Sequence, residues 1–273
     1  SPLMMKACYD LGLPYVSLGQ MNDVCLWPQD DQLEDIGLGL MNARKVFFVS
    51  RANREMAEYQ IGRFLPHAEV VWNPFTVNAD VNLPWPKLGE NKCWKLACVA
   101  RLEVKAKGQD LVLQVLAQDK WRSRPFHLTF YGTGPNEKSL RSMVEMLGLQ
   151  ERVTFAGHID NIDAAWNENH ALVLASRFEG LPLALIEAML CNRVAIVSNV
   201  AGNPDITLDN VTGFLASAPT VEHLDSAMER AWDRREEWEA MGRKAGEYIR
   251  SLIPKDPAAQ FARKLIDITS EQP

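Results

Sequence analysis

Ala171-Leu172-Val173-Leu174-Ala175-Ser176-Arg177-Phe178-Glu179-Gly180-Leu181-Pro182-Leu183-Ala184-Leu185-Ile186-Glu187-Ala188-Met189 spells a strand, a turn and a helix in direct succession. Residues 171–174 are a short, wholly apolar run of strand length. Gly180 and Pro182 then punctuate the chain as a turn. From Leu183 to Leu190 the side chains are apolar on every side of a helix except at Glu187. A strand that is apolar on both faces, followed by a helix, is the unit of a parallel sheet covered on both sides. The same alternation extends in both directions. Strands are predicted at Tyr15–Leu18, Val46–Val49, Glu69–Val71, Lys95–Ala100, His127–Tyr131, Val153–Phe155 and Val194–Val197. Helices are predicted at Ser50–Ile61, Gly108–Asp119, Asn136–Leu147 and His223–Trp232. The fold class is α/β.

The chain has 273 residues, 47% hydrophobic and 23% charged, which is globular composition. Its 29 Lys and Arg against 35 Asp and Glu leave a net charge of −6, which argues against a nucleic-acid coat protein. No run reaches the ~18 apolar residues of a membrane span. Five cysteines (Cys8, Cys25, Cys93, Cys98, Cys191) contain no C-x-x-C and read as reduced thiols of a cytoplasmic protein. Asn73-Pro74, Pro84-Trp85-Pro86 and Gly89 mark a linker at 74–92. Three strands precede it and five follow. Pro254 and Pro257 set off a last helix, Ala258–Ile266.

Each of the later strands runs into a turn that could carry chemistry. Glu187 must reach a cleft or be well hydrogen-bonded, because an unpaired buried carboxylate costs several kcal/mol. Taken singly, Glu179 reads as a solvated loop residue and Glu187 as a cap on a neighbouring helix. Together with a helix N-terminus beyond a strand's carboxyl end, they read as a ligand site. Arg101 and Lys107 flank a loop after the Lys95–Ala100 strand and would suit a diphosphate, or be a basic turn neutralised by Glu103. Gly132 and Gly134, in Tyr131-Gly132-Thr133-Gly134-Pro135, allow close backbone approach, as a plain tight turn also would. Gly157 and His158 close another strand, and Ser198–Asp205 is a loop that could wall the same cleft. Histidine spacing gives no zinc motif, and neither G-x-S-x-G nor G-x-G-x-x-G occurs. A glycosidase pair is disfavoured, since eight helical residues rise about 12 Å against the roughly 5–9.5 Å that reaction needs.

Glu179 to Glu187 matches the E-x7-E signature of retaining GT-B glycosyltransferases, and the chain resembles glycosyltransferase family 4 in particular. Arg101 with Lys107-Gly108, Gly132-Thr133-Gly134-Pro135, Val153-Thr154-Phe155-Ala156-Gly157 and Glu179-Gly180-Leu181-Pro182-Leu183 fall in that family's order. The resemblance implies a GT-B-like fold with a partial N-terminal, acceptor-side α/β domain (1–73). The linker (74–92), a Rossmann-like nucleotide-sugar-binding domain (93–253) and a C-terminal crossover helix (254–273) follow. It implies that Arg101 and Lys107 neutralise the diphosphate, Glu187 binds the ribose and Glu179 the donor sugar. Amides around Gly180, Leu181 and Leu183 would meet sugar or phosphate. Gly132 and Gly134 would border the phosphates, and Gly157 and His158 the base. It further implies a UDP- or GDP-sugar donor as substrate, no cofactor and no metal. The acceptor would be a glycan, a lipid-linked or a small molecule, with peripheral membrane association of the full-length protein. A donor-binding module without turnover remains the alternative. Ala100 replaces the family's usual Gly, Asp205 its common Glu, and Gln20 stands where many relatives have His.

Overall fold

The structure, a computed structural model, describes residues 2–22 and 27–270. Two compact units emerge: Ser1–Pro74 with Glu179–Leu181 and Ile253–Pro273, and Phe75–Phe178 with Pro182–Leu252.

The first unit contains α1 (Pro2–Asp10), β1 (Val16–Gly19), α2 (Asp30–Met41), β2 (Lys45–Phe48), α3 (Arg51–Ile61) and β3 (Ala68–Val70). Its three strands are parallel in the order β1-β2-β3. Val46, Phe48, Ala57 and Leu65 form its core. Ser50 starts α3 by accepting a hydrogen bond from the Asn53 N–H, and Gly62 ends the helix in the left-handed region. A last helix belongs to the same unit and carries Phe261 edge-on to Phe47, with ring centroids 5.1 Å apart. It spans Pro257–Ser270, longer than the sequence suggested, and its Lys264 pairs with Glu69.

The second unit is a six-stranded parallel sheet of β4 (Trp94–Val99), β5 (Phe126–Tyr131), β6 (Val153–Gly157), β7 (Ala171–Leu174), β8 (Val194–Ser198) and β9 (Gly213–Ala216). The order is β6-β5-β4-β7-β8-β9, so the winding reverses between β4 and β7. That reversal opens a crevice at the strands' carboxyl ends. Leu172, Val173, Val194 and Val197 have no exposed surface, as expected of strands covered on both faces.

Between the strands lie α4 (Val104–Lys107), α5 (Gln109–Leu116), α6 (Asp119–Arg122), α7 (Glu137–Met146), α8 (Ile162–Glu168), α9 (Leu183–Leu190) and α10 (Asn203–Ile206). Two long helices, α11 (Val221–Asp233) and α12 (Trp238–Leu252), complete the unit. The helix predicted over Gly108–Asp119 is broken: Gln118 turns extended, and the new turn buries Trp121, whose indole N–H donates to Asp225 at 2.8 Å. No strand or helix is predicted from the sequence at β9 or α8, nor at the longer helices α2 and α12. Residues 75–92 contain no helix or strand. They are nonetheless fastened: Arg250 donates to the carbonyls of Ala79 (2.8 Å) and Val81 (2.7 Å), Arg193 to Pro84 (2.7 Å), and His170 to Pro86 (3.1 Å).

Candidate functional site

The carboxyl ends of β4, β5 and β6 and the first turn of α9 enclose a cleft of about 900 Å³. It lies at the reversal of strand order. All of its lining residues belong to the second unit.

β4 delivers Val99, Ala100 and Arg101 to the cleft. The Arg101 side chain is 66% exposed, and its nearest carboxylate is Glu103 at 3.6 Å. Its carbonyl accepts the amide of buried Gln109 at 2.8 Å, which fixes the backbone of the loop. Beneath it Cys98 is buried, and burial pushes its thiol up to about 12, so it remains neutral.

The turn after β5 is zipped onto this loop. Leu102 N–H donates to the Thr133 carbonyl (3.1 Å) and Asn136 N–H to the Leu102 carbonyl (3.0 Å). A Cβ on Gly132, at φ +129, would run into the Ala100 carbonyl, and one on Gly134 into the Leu102 backbone. Both glycines are therefore required by chain packing. Tyr131 also lines the cleft, and its hydroxyl accepts from the side chain of Asn169 at 3.0 Å. At β6 a register shift sets Gly157 opposite Tyr131, and its carbonyl accepts from Gly132 N–H at 2.7 Å. Gly157 thereby aims the next residues, His158, Ile159 and Asp160, at the rim. There His158 Nε2 lies 3.2 Å from Asp160, both side chains being exposed.

α9 supplies the opposite wall. Leu183, Ala184 and Glu187 share one stripe by helical spacing and face the cleft, whereas Leu185, Ile186, Ala188, Met189 and Leu190 are fully buried. Pro182 precedes the helix without a side-chain cap, so the N–H groups of Leu183 and Ala184 come before the first intrahelical bond. Glu187 is only 7% exposed. Its Oε1 accepts two hydrogen bonds from Thr76, from the N–H (3.1 Å) and the hydroxyl (2.8 Å). Both outcomes required of a lone acid on an apolar helix are met: it borders a cleft, and it is hydrogen-bonded.

The structure thus brings Arg101, Gly132, Gly134, His158, Leu183 and Glu187 to one cleft. Gly157 stands behind its rim. Lys107 is half-buried at the end of α4 and is not among the lining residues. Glu179, Gly180 and Leu181 group with the first unit, where the Glu179 carbonyl accepts from Asn53 at 3.4 Å and a Cβ on Gly180 would meet the Gln20 carbonyl. Arg177 is committed elsewhere, to a two-pronged pair with Asp110 at 2.8 Å that holds its pKa up. The Ser198–Asp205 loop does not line the cleft: Ser198 is bonded to the Ser176 carbonyl and Asn203 to Ser198. Thr76 carried no signal in the sequence, because it lies 111 residues from its partner in a segment without periodicity. Among the described residues no three His, Cys, Asp or Glu side chains gather as a metal site would. No helix among them is long and apolar enough to cross a membrane.

Residues 85–248 match the family model for glycosyl transferases group 1. The chain is 27% identical over 223 residues to a GDP-mannose-dependent alpha-(1-6)-phosphatidylinositol monomannoside mannosyltransferase of Mycobacterium tuberculosis, covering 75% of this chain and 56% of that protein. The chain therefore spans little more than half the length of that curated relative. Its fold is similar to HepE of Anabaena solved with UDP (TM-score 0.80, 18% identity, 97% of this chain and 76% of that one). It is equally close to a sucrose-phosphate synthase from Thermosynechococcus elongatus (TM-score 0.79, 18% identity, 99% and 73%). These likenesses bear out the α/β, GT-B-like architecture expected from the sequence. With more than half of its residues inside the matched region, and that region containing all of the cleft except Thr76, the chain belongs to the glycosyl transferases group 1 family.

Proposed function

We propose that the protein transfers a sugar from a nucleoside-diphosphate sugar to an acceptor with retention of anomeric configuration and without a metal. The observation that carries this reading is the cleft at the strand reversal, where the Arg101 fork, the unpaired first amides of α9 and the Glu187 carboxylate share one wall system. A leaving diphosphate gains negative charge as the glycosidic bond breaks, so catalysis chiefly needs donors already aimed at it. Arg101 offers a planar fork and Leu183 and Ala184 offer backbone N–H groups at the positive end of a helix. Lys107, at the end of the short helix α4 that follows the Arg101 loop and outside the cleft lining, is the second cation of the proposal. Glu187, an acceptor only, binds hydroxyls of the ribose. The family resemblance gives the donor sugar to Glu179, which does not line the cleft and groups with the first unit. The glycine turns after β5 and β6 border the phosphates and the base, with His158 at the rim.

The donor is a UDP- or GDP-sugar. Support comes from the mycobacterial relative, named for GDP-mannose, and the Anabaena structure, which holds UDP. The acceptor is a glycan, a lipid-linked or a small molecule, and the relative's name, which includes phosphatidylinositol monomannoside, favours the lipid-linked class; peripheral membrane association of the full-length protein is part of the same proposal. Four free cysteines among the described residues suit the cytoplasm; Cys25 lies outside those residues. Calorimetric titration with UDP and GDP tests the site: one of them binds, and binding of neither removes the reading. Transfer that persists in chelator, with the product's anomeric configuration read by NMR, tests metal independence and retention. The second reading, a donor-binding module without turnover, is favoured by a cleft built entirely within one unit. Nucleotide binding with no transfer to any acceptor class would select it.

A further inference from the structure

Glu187 is held by a residue that the family match does not reach. Thr76 precedes the matched region, which begins at residue 85, and sits in a segment without helix or strand. Yet it places two donors, N–H at 3.1 Å and hydroxyl at 2.8 Å, on one oxygen of the carboxylate. Both described hydrogen bonds to that side chain land on Oε1, and a carboxylate has a second oxygen that can only accept. Around it α9 is apolar, with nothing else on the helix to fix a carboxylate's rotation. Thr76 itself is exposed and lines the same cleft. The segment carrying it is pinned just downstream, where Val77 is buried and Arg250 grips the carbonyls of Ala79 and Val81.

We propose that Thr76 is a positioning residue of the donor site, clamping Oε1 of Glu187 so that Oε2 is presented to the ribose hydroxyls of the nucleoside diphosphate. This rests on the donor-site reading given above. A pair of donors on one oxygen fixes the carboxylate plane as well as its distance, whereas one donor would leave it free to swing. The clamp thus converts a flexible acceptor into an oriented one, and its effect belongs to ligands that offer hydroxyls there.

The test is calorimetric titration of wild type, Thr76→Val and Thr76→Ser with UDP, GDP and the 2′,3′-dideoxy form of whichever nucleotide binds. Wild type should prefer the ribose form by about tenfold. In Thr76→Val the preference should shrink to about threefold or less, while affinity for the dideoxy form changes less than about twofold. Thr76→Ser keeps both donors and should restore the preference. A purely structural contact would weaken both ligands alike, so an unchanged preference in Thr76→Val overturns the proposal. A wild type indifferent to the ribose hydroxyls overturns it as well. If wild type binds neither UDP nor GDP, the donor-site reading fails and takes this one with it; binding with an unaltered preference removes Thr76's role alone.

Discussion

An acid one turn into an all-apolar helix is a residue whose surroundings make it legible. Glu187 could be singled out because burial without partners is costly, and in the structure the partner exists. Replacing it with alanine should leave the fold intact and weaken nucleoside diphosphate binding by about 1–3 kcal/mol, measured by calorimetry. Unchanged affinity would detach it from the nucleotide. Arg101 makes a different forecast. Its side chain is largely solvated and its only described ion pair is a loose 3.6 Å contact, so Arg101→Ala should cost little stability. Combined with Lys107→Ala, it should weaken a diphosphate by about 1–3 kcal/mol and the bare nucleoside far less. Equal losses for the two ligands would show that the pair does not meet phosphate.

At the scale of elements, the turn after β5 is set by backbone clearance. Gly132→Ala would force a Cβ into the Ala100 carbonyl at a φ that side chains rarely adopt, and should lower unfolding stability by roughly 1–3 kcal/mol in denaturant titrations. The loop after β4, which lines the cleft, should lose order with it, because the two are joined by paired backbone hydrogen bonds. Strands and turns of this kind were readable in advance because apolar runs and glycines report burial and backbone shape locally. β7 and α9 have the bounds expected of them, and most other elements shift by one or two residues. Three of the features that were unreadable share a cause. β9 is four residues beginning with Gly213, and its strand character comes from pairing with β8. The break between α5 and α6 exists because Trp121 must reach Asp225, a partner 104 residues away. Thr76 is the same case in the cleft. Contacts made across the fold leave no trace in neighbouring residues.

Across the whole molecule, stability should be uneven. The first unit has three strands and leaves Leu3 at 80% and Leu11 at 71% exposure, whereas the second buries Trp121, Trp166 and Trp238 almost completely. Hydrogen exchange should accordingly be fastest in β1 and α1 and slowest in β4, β7 and β8, and added UDP or GDP should slow exchange around the cleft. Uniform protection would contradict this. Acid should act through His170, which burial brings down from 6.5 to about 4. Above pH 6.5 the imidazole is neutral folded or unfolded, and its contribution is complete. As pH falls from 6.5 towards 4 the unfolded chain takes up a proton that the folded one refuses, so stability falls, by on the order of 3 kcal/mol. His170→Asn should be less stable at pH 7.5 but lose less between pH 7 and pH 4.5. The same histidine is one of three side chains that seize carbonyls of residues 79–86. A stretch devoid of helix or strand is, through these ties, lashed down like rigging. Proteases cut where backbone can peel away, so proteinase K should spare this stretch in the native protein and find it once Arg250→Ala has cast off the first two knots.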